Sequence, residues 1–190
     1  TKMKEMQTVL ITGALPVKLD LVKIDVISPT LGEQFLRYAI IAIIGAIAAV
    51  GVIIFIRYKQ IKVASAVLLT GLSEVFIILG VAAAIRWNLD LAAIAALIAT
   101  VGTGVDSQIV ITDEILSGEK IQMGWKERIK RAFFIIFGSY ATVLAAMLPL
   151  YGFGTAMLKG FAIITVLGVS IGVFITRPAF AKIVEILLKT

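Results

Sequence analysis

The chain contains no cysteine and no histidine. The first absence excludes disulfides, thiol nucleophiles and thiolate metal sites. The second excludes imidazole ligands and histidine-based triads. No nucleophile–base constellation can be assembled from what is left, so covalent catalysis is not expected, and neither is a cofactor. Charged residues are only 16% of the sequence and aromatics 8%. There is no glycine-rich phosphate loop and no basic tract interleaved with aromatics, so the net charge of +6 does not read as a nucleic-acid signal. What the chain has in abundance is apolar surface. Hydrophobic residues make up 60% of it, and its mean hydropathy is +1.05. At this composition the solvent is the lipid bilayer.

Five apolar segments are evident, at about 34–56, 62–86, 91–115, 132–149 and 156–177. Each is near the ~20 residues that a helix needs to cross about 30 Å of hydrocarbon. A segment in lipid must pair its own backbone groups, so these are predicted to be helices. Thr30 and Glu33, three residues apart, fit a capping box ahead of the first one. Residues 1–30 differ from the rest. Val17–Val26 (VKLDLVKIDV) alternates apolar and polar residues, as a half-buried strand does. The chain begins at Thr1 without a signal peptide, and it is expected to be a piece of a longer protein. The expected fold is therefore an all-α polytopic membrane protein. It is a five-helix bundle over 31–177, with a short β-stranded stub at 1–30 and a tail at 178–190.

Loop charge sets the expected orientation. The link after the first span carries Arg57, Lys59 and Lys62. The link between the third and fourth carries Lys120, Lys126, Arg128, Lys130 and Arg131 against Glu119 and Glu127. The tail carries Arg177, Lys182 and Lys189. The links WNLD and LPLYGFGT contain no lysine or arginine. The positive-inside rule places the basic links and the C-terminus in the cytoplasm and the N-terminal stub outside it. Ile121, Trp125 and Ile129 share one helical face, which predicts a short helix on the cytoplasmic membrane surface.

The chemically unusual residue is Asp106, more than halfway along the third span. A carboxylate at bilayer depth costs roughly 2.5–3.5 kcal/mol on insertion scales. Desolvation disfavours the charged form of an acid at that depth, which is the chemistry of a proton relay. Hydrogen bonding within helix packing is the other reading. Helical spacing puts Gly102, Thr103, Val110 and Asp113 on the face of Asp106. Asp113 lies about 10 Å further along the axis, near the basic end. It is either a solvated helix end or a proton exit. Glu74, flanked by Gly71 and Ser73, is a second mid-span acid, either in the relay or hydrogen-bonded structurally. No lysine or arginine is expected at mid-depth, so any counter-charge for Asp106 is expected from outside the chain. The runs Gly102–Gly104 and Gly168–Gly172 suit close helix packing.

Three motifs, in order, resemble the SecD family of the resistance-nodulation-division superfamily. GALPVKLDLVKIDVISPTLG is similar to the end of that family's first extracytoplasmic domain. VGTGVDSQIVITDEI resembles its fourth-helix motif, GMAVDANVLIFERI in bacterial members, with the aspartate on Asp106. GFGTAMLKGFAIITVLGVSIG resembles its sixth-helix region, matched at Gly152, Gly154, Lys159, Gly160 and Phe161. Ser107, Gln108 and Asp113-Glu114 depart from the bacterial pattern and are similar to archaeal members. The resemblance implies a subunit of a SecDF complex in the cell membrane, paired with SecF beside a SecYEG-type channel and handling preprotein with the proton gradient. It also implies that Asp106 carries the proton. An exporter of small molecules or lipids from the same superfamily, and a non-transporting translocon scaffold, are the alternatives.

Overall fold

The computed structural model describes residues 29–87, 89–117 and 124–189, and the chain divides into two compact units, 1–36 and 37–190. The predicted strand and most of the stub lie outside the described residues. Within these, every regular element is helical: α1 (Pro29–Tyr58), α2 (Ile61–Ala84), α3 (Leu91–Ser117), α4 (Trp125–Phe153), α5 (Ala156–Ile171), a π-helical turn (Gly172–Thr176) and α6 (Arg177–Lys189). Five stretches are long and apolar enough to cross a membrane, the last being Met157–Leu187.

Several boundaries differ from the sequence expectation, each for a local reason. Helix α1 already includes Thr30, so that residue is not its cap. Pro29 opens the helix, where its missing N–H is not needed. Helix α4 begins at Trp125 and not near 132, so Trp125 and Ile129 form its first turns and not a separate surface helix; Ile121 is outside the described residues. At its other end α4 runs through Pro149 to Phe153. A proline costs one backbone hydrogen bond, and in lipid ending the helix earlier would free more. Helix α2 ends in a Schellman closure. Arg86 takes φ 55°, its N–H reaches the Ala83 carbonyl at 3.0 Å, and the Trp87 N–H reaches Ala82 at 2.8 Å.

The largest difference is at the last span, which does not stop at Arg177. It continues through the π turn into α6, and Pro178 explains the turn. Its ring crowds the carbonyl four residues back and it has no N–H to offer. The widened turn accommodates it, with the Arg177 N–H bonded to the carbonyl of Gly172, five residues back. The consequence is rotational. Thr165, Val169, Val173, Arg177 and Ala181 are all buried, each four residues from the last. In a uniform α-helix each such step drifts by about 40°, which would carry the series round to the far side. The extra residue in the π turn returns Arg177 to the interior.

Residues 37–190 hold two apolar clusters. One gathers Ile54, Val63, Val67, Ile111, Val173, Phe180 and Val184. The other gathers Val75, Ile78, Leu97, Val101 and Ile164. Between Val67 and Val75 on α2, and between Val101 and Ile111 on α3, lies a buried polar layer: Thr70, Glu74 and Gln108, with Arg177 from α6. Full burial of one large aliphatic side chain contributes about 1.5–3 kcal/mol where water is the alternative. Between helices in lipid that drive is absent, so close packing and the polar layer hold the bundle.

Candidate functional site: a buried ion pair beside an unpaired acid

Glu74 and Arg177 form an ion pair at 2.9 Å, with side-chain exposures of 2% and 1%. The pair is well satisfied on the glutamate side. Arg177 Nη1 donates to Glu74 Oε1, and the Thr176 hydroxyl donates to Glu74 Oε2 at 2.9 Å. Arg177 Nη1 also reaches the Thr176 hydroxyl oxygen at 3.1 Å. On the arginine side Nε is buried without an acceptor among the described residues. One turn away, Gln108 Nε2 donates to the Thr70 hydroxyl at 2.8 Å, while Gln108 Oε1 has no partner there.

Two glycines make room for the guanidinium. A Cβ on Gly172 would collide with Nη1 and Cζ of Arg177. A Cβ on Gly104 would stand 3.2 Å from its Nη2 and 3.4 Å from the Glu74 carboxylate. The mid-span cation that the sequence did not lead one to expect is therefore present. By sequence Arg177 falls at the start of the tail, because the apolar run stops there and the positive-inside rule accounts for a basic residue at a span end. The detectable signal was local: Thr176-Arg177-Pro178 directly after a glycine-rich apolar stretch.

Asp106 lies on the outward face of α3, exposed to the surroundings of the bundle. Among the described residues no hydrogen bond or ion pair reaches it. It borders a cavity of about 160 Å³ between α3, α4 and the last span, together with Thr103, Ser107, Ser139, Tyr140 and Arg177. The Tyr140 hydroxyl is hydrogen-bonded to that of Ser170 at 3.1 Å, which ties α4 to α5. Thr103 and Ser107 bond back to their own helix. The unpaired acid and the buried cation thus share one wall-lined space.

The other expected positions have plainer surroundings. Asp113 accepts hydrogen bonds at 2.6 Å from the Tyr58 hydroxyl and from Arg57. This half-exposed clasp ties the end of α1 to α3. Of the expected packing glycines, Gly104 is buried beside Arg177 and Glu74, and a Cβ on Gly160 would stand 3.4 Å from the Asp90 carboxylate. Gly154 abuts the Leu150 carbonyl, whereas Gly102 and Gly152 face open space. Lys159 is exposed. Asp90, not expected to matter, caps α3 by accepting from the Ala93 N–H at 2.8 Å. Among the described residues no group of three or more acidic side chains is placed to hold a metal ion.

The arrangement is that of a multi-pass helical membrane protein with a buried charged layer and, on its flank, an acid without a partner among the described residues. Residues 9–188 match the family described as protein export membrane protein SecD/SecF, C-terminal, and the chain belongs to that family. It is 58% identical over 178 residues to the protein-export membrane protein SecD of Methanocaldococcus jannaschii, covering 94% of this chain and 44% of that one. It is 52% identical over 189 residues to SecD of Methanothermobacter thermautotrophicus, covering 96% and 47%. The chain therefore spans less than half the length of these relatives. The crystal structure of SecDF, a translocon-associated membrane protein from Thermus thermophilus, superposes with a TM-score of 0.78 at 27% identity, covering 99% of this chain and 27% of that one.

Proposed function

We propose that this chain is the membrane-embedded part of a protein-export subunit that uses the proton gradient to assist preprotein translocation through a Sec-type channel. The observation that carries the reading is Asp106: an acid within a membrane span, exposed on the bundle's flank, without a partner among the described residues and beside a cavity of mixed polar and apolar lining. A group so placed can exchange a proton with water or with a partner helix at little structural cost. Membership of the SecD/SecF family and the names of its relatives supply the process in which that exchange is used.

On this reading SecF lies against the flank that carries Asp106, and the pair works beside a SecYEG-type translocon. The basic ends of the spans and the C-terminus are cytoplasmic, the N-terminal stub is extracytoplasmic, and the bundle sits in the cell membrane. Protonation of Asp106 removes a charge from the flank and lets the helices close, and ionisation draws in water or a cation. Asp113 stands at the cytoplasmic mouth, and Glu74 takes part through Arg177. Helix movement passes to the extracytoplasmic domain through Pro29–Gly32.

The test is preprotein export by the full-length protein with SecF in energised membranes, wild type against Asp106→Asn. Loss of gradient dependence with assembly intact is the expected result. Undiminished gradient-driven export by Asp106→Asn would sink the reading and leave a translocon scaffold as the better account.

A further inference from the structure

At the cavity beside Asp106, an acid without a partner among the described residues meets a buried cation. Arg177 reaches its rim from the interior, held to Glu74 through Nη1 alone, with Nε lacking an acceptor among the described residues. The guanidinium is lodged where a side chain on residue 172 would otherwise be, and it lies close beside Gly104. It stands directly after a π turn, a feature frequent at functional sites. A cavity of about 160 Å³ has room for several waters, since one needs at least about 10–15 Å³ of such space. The ionisable residues on its wall are Asp106, Tyr140 and Arg177, with Glu74 behind Arg177.

We propose that Arg177 is a shared counter-charge. It is bound to Glu74 in the state described here, and it turns its free N–H edge across the cavity to Asp106 when that residue is ionised. The inference rests on the reading of Asp106 as the proton-carrying group. In the step, the Asp106 O–H bond breaks, its proton passes to cavity water, and its electron pair stays on the carboxylate. The carboxylate then accepts from the guanidinium. Arg177 keeps all its own protons throughout. The summed charge of Glu74, Arg177 and Asp106 goes from zero to minus one, and the arginine is spread between two carboxylates rather than committed to one. Glu74 is then neither a relay acid nor a passive packing residue. It sets how much of Arg177 is available to Asp106.

The test reads proton occupancy of Asp106 with dicyclohexylcarbodiimide, which attaches to protonated carboxyls within membranes. The full-length protein with SecF is labelled in lipid vesicles at one fixed pH, and Asp106 modification is quantified by peptide mass spectrometry. Glu74→Gln frees the guanidinium for Asp106, and labelling falls roughly tenfold. The double variant Glu74→Gln/Arg177→Gln removes the cation without orphaning the glutamate, and labelling rises by a similar factor. A purely structural role for Arg177 changes access to Asp106 in the same direction in both variants, or not at all, and either outcome overturns the proposal. So does the absence of label on Asp106 in all three proteins. If the double variant does not assemble, the single variant decides: a fall supports the proposal, and unchanged labelling rejects it. The labelling reports the Arg177–Asp106 coupling whether or not export depends on it. Opposed shifts alongside gradient-dependent export by Asp106→Asn would refute the relay alone.

Discussion

At the scale of single residues, the Glu74–Arg177 pair is where the chain has most to lose. Arg177→Gln leaves a carboxylate at 2% exposure without its cation, and a loss of about 3–5 kcal/mol is expected. The joint change Glu74→Leu/Arg177→Met removes both charges and is expected to be close to neutral. Denaturant unfolding of the purified protein in mixed micelles checks both, and similar losses in the two would show that the charges are not the reason. Gly172→Ala is expected to be nearly as damaging as Arg177→Gln, since the new Cβ occupies the guanidinium's place. Arg177→Gln should then mask most of its effect, a non-additivity that the same unfolding experiment reads. Asp106 was legible in the sequence because a charged residue inside an apolar run is a local signal. Its buried neighbours were not. Glu74 and Arg177 are 103 residues apart, and nothing in either's local context names the other. Gly102 and Gly104 both suit close helix packing by sequence, being small residues in one short run. Only packing shows that Gly104 faces the ion pair.

At the scale of the helices, the spans were readable because hydropathy sums over neighbours and lipid forces the backbone into helix. Their ends were less so, because ends are decided by one or two residues. Arg86 illustrates this. It closes α2 in the left-handed region at φ 55°, where an L side chain is strained and glycine is not. Arg86→Gly is therefore expected to raise stability by about 0.5–1 kcal/mol. A fall in the same unfolding measurement would mean that its exposed guanidinium does more than tolerate the turn. The π turn escaped the sequence for a related reason. Helical periodicity counted forward from α5 loses phase at Gly172–Thr176, and a basic residue where the apolar run stops reads as a span end, so the sequence pattern alone does not turn Arg177 back into the bundle.

At the scale of the whole molecule, orientation is the first thing to establish, and the absence of cysteine from these 190 residues simplifies it once any cysteine elsewhere in the full-length protein is replaced. Single cysteines introduced at Lys59 and Lys182 in the full-length protein are expected to react with a membrane-impermeant maleimide only after the cytoplasmic side is opened. One at Leu89 is expected to react in intact cells. The reverse pattern would invert the topology that the basic loops predict. Orientation also fixes an electrical property of the bundle. Glu74 and Arg177 cancel, so the interior pair is nearly silent to a voltage across the membrane. On the proposed reading Asp106 is different: its charge appears and disappears with its proton, and in the state described here no opposite charge among the described residues is bonded to it. A unit charge crossing a full 100 mV potential is worth about 2.3 kcal/mol. A carboxylate part-way across feels a fraction of that. The occupancy of this one side chain would then answer to membrane voltage as well as to proton concentration, which would make the flank of α3 a sensor of both halves of the electrochemical gradient.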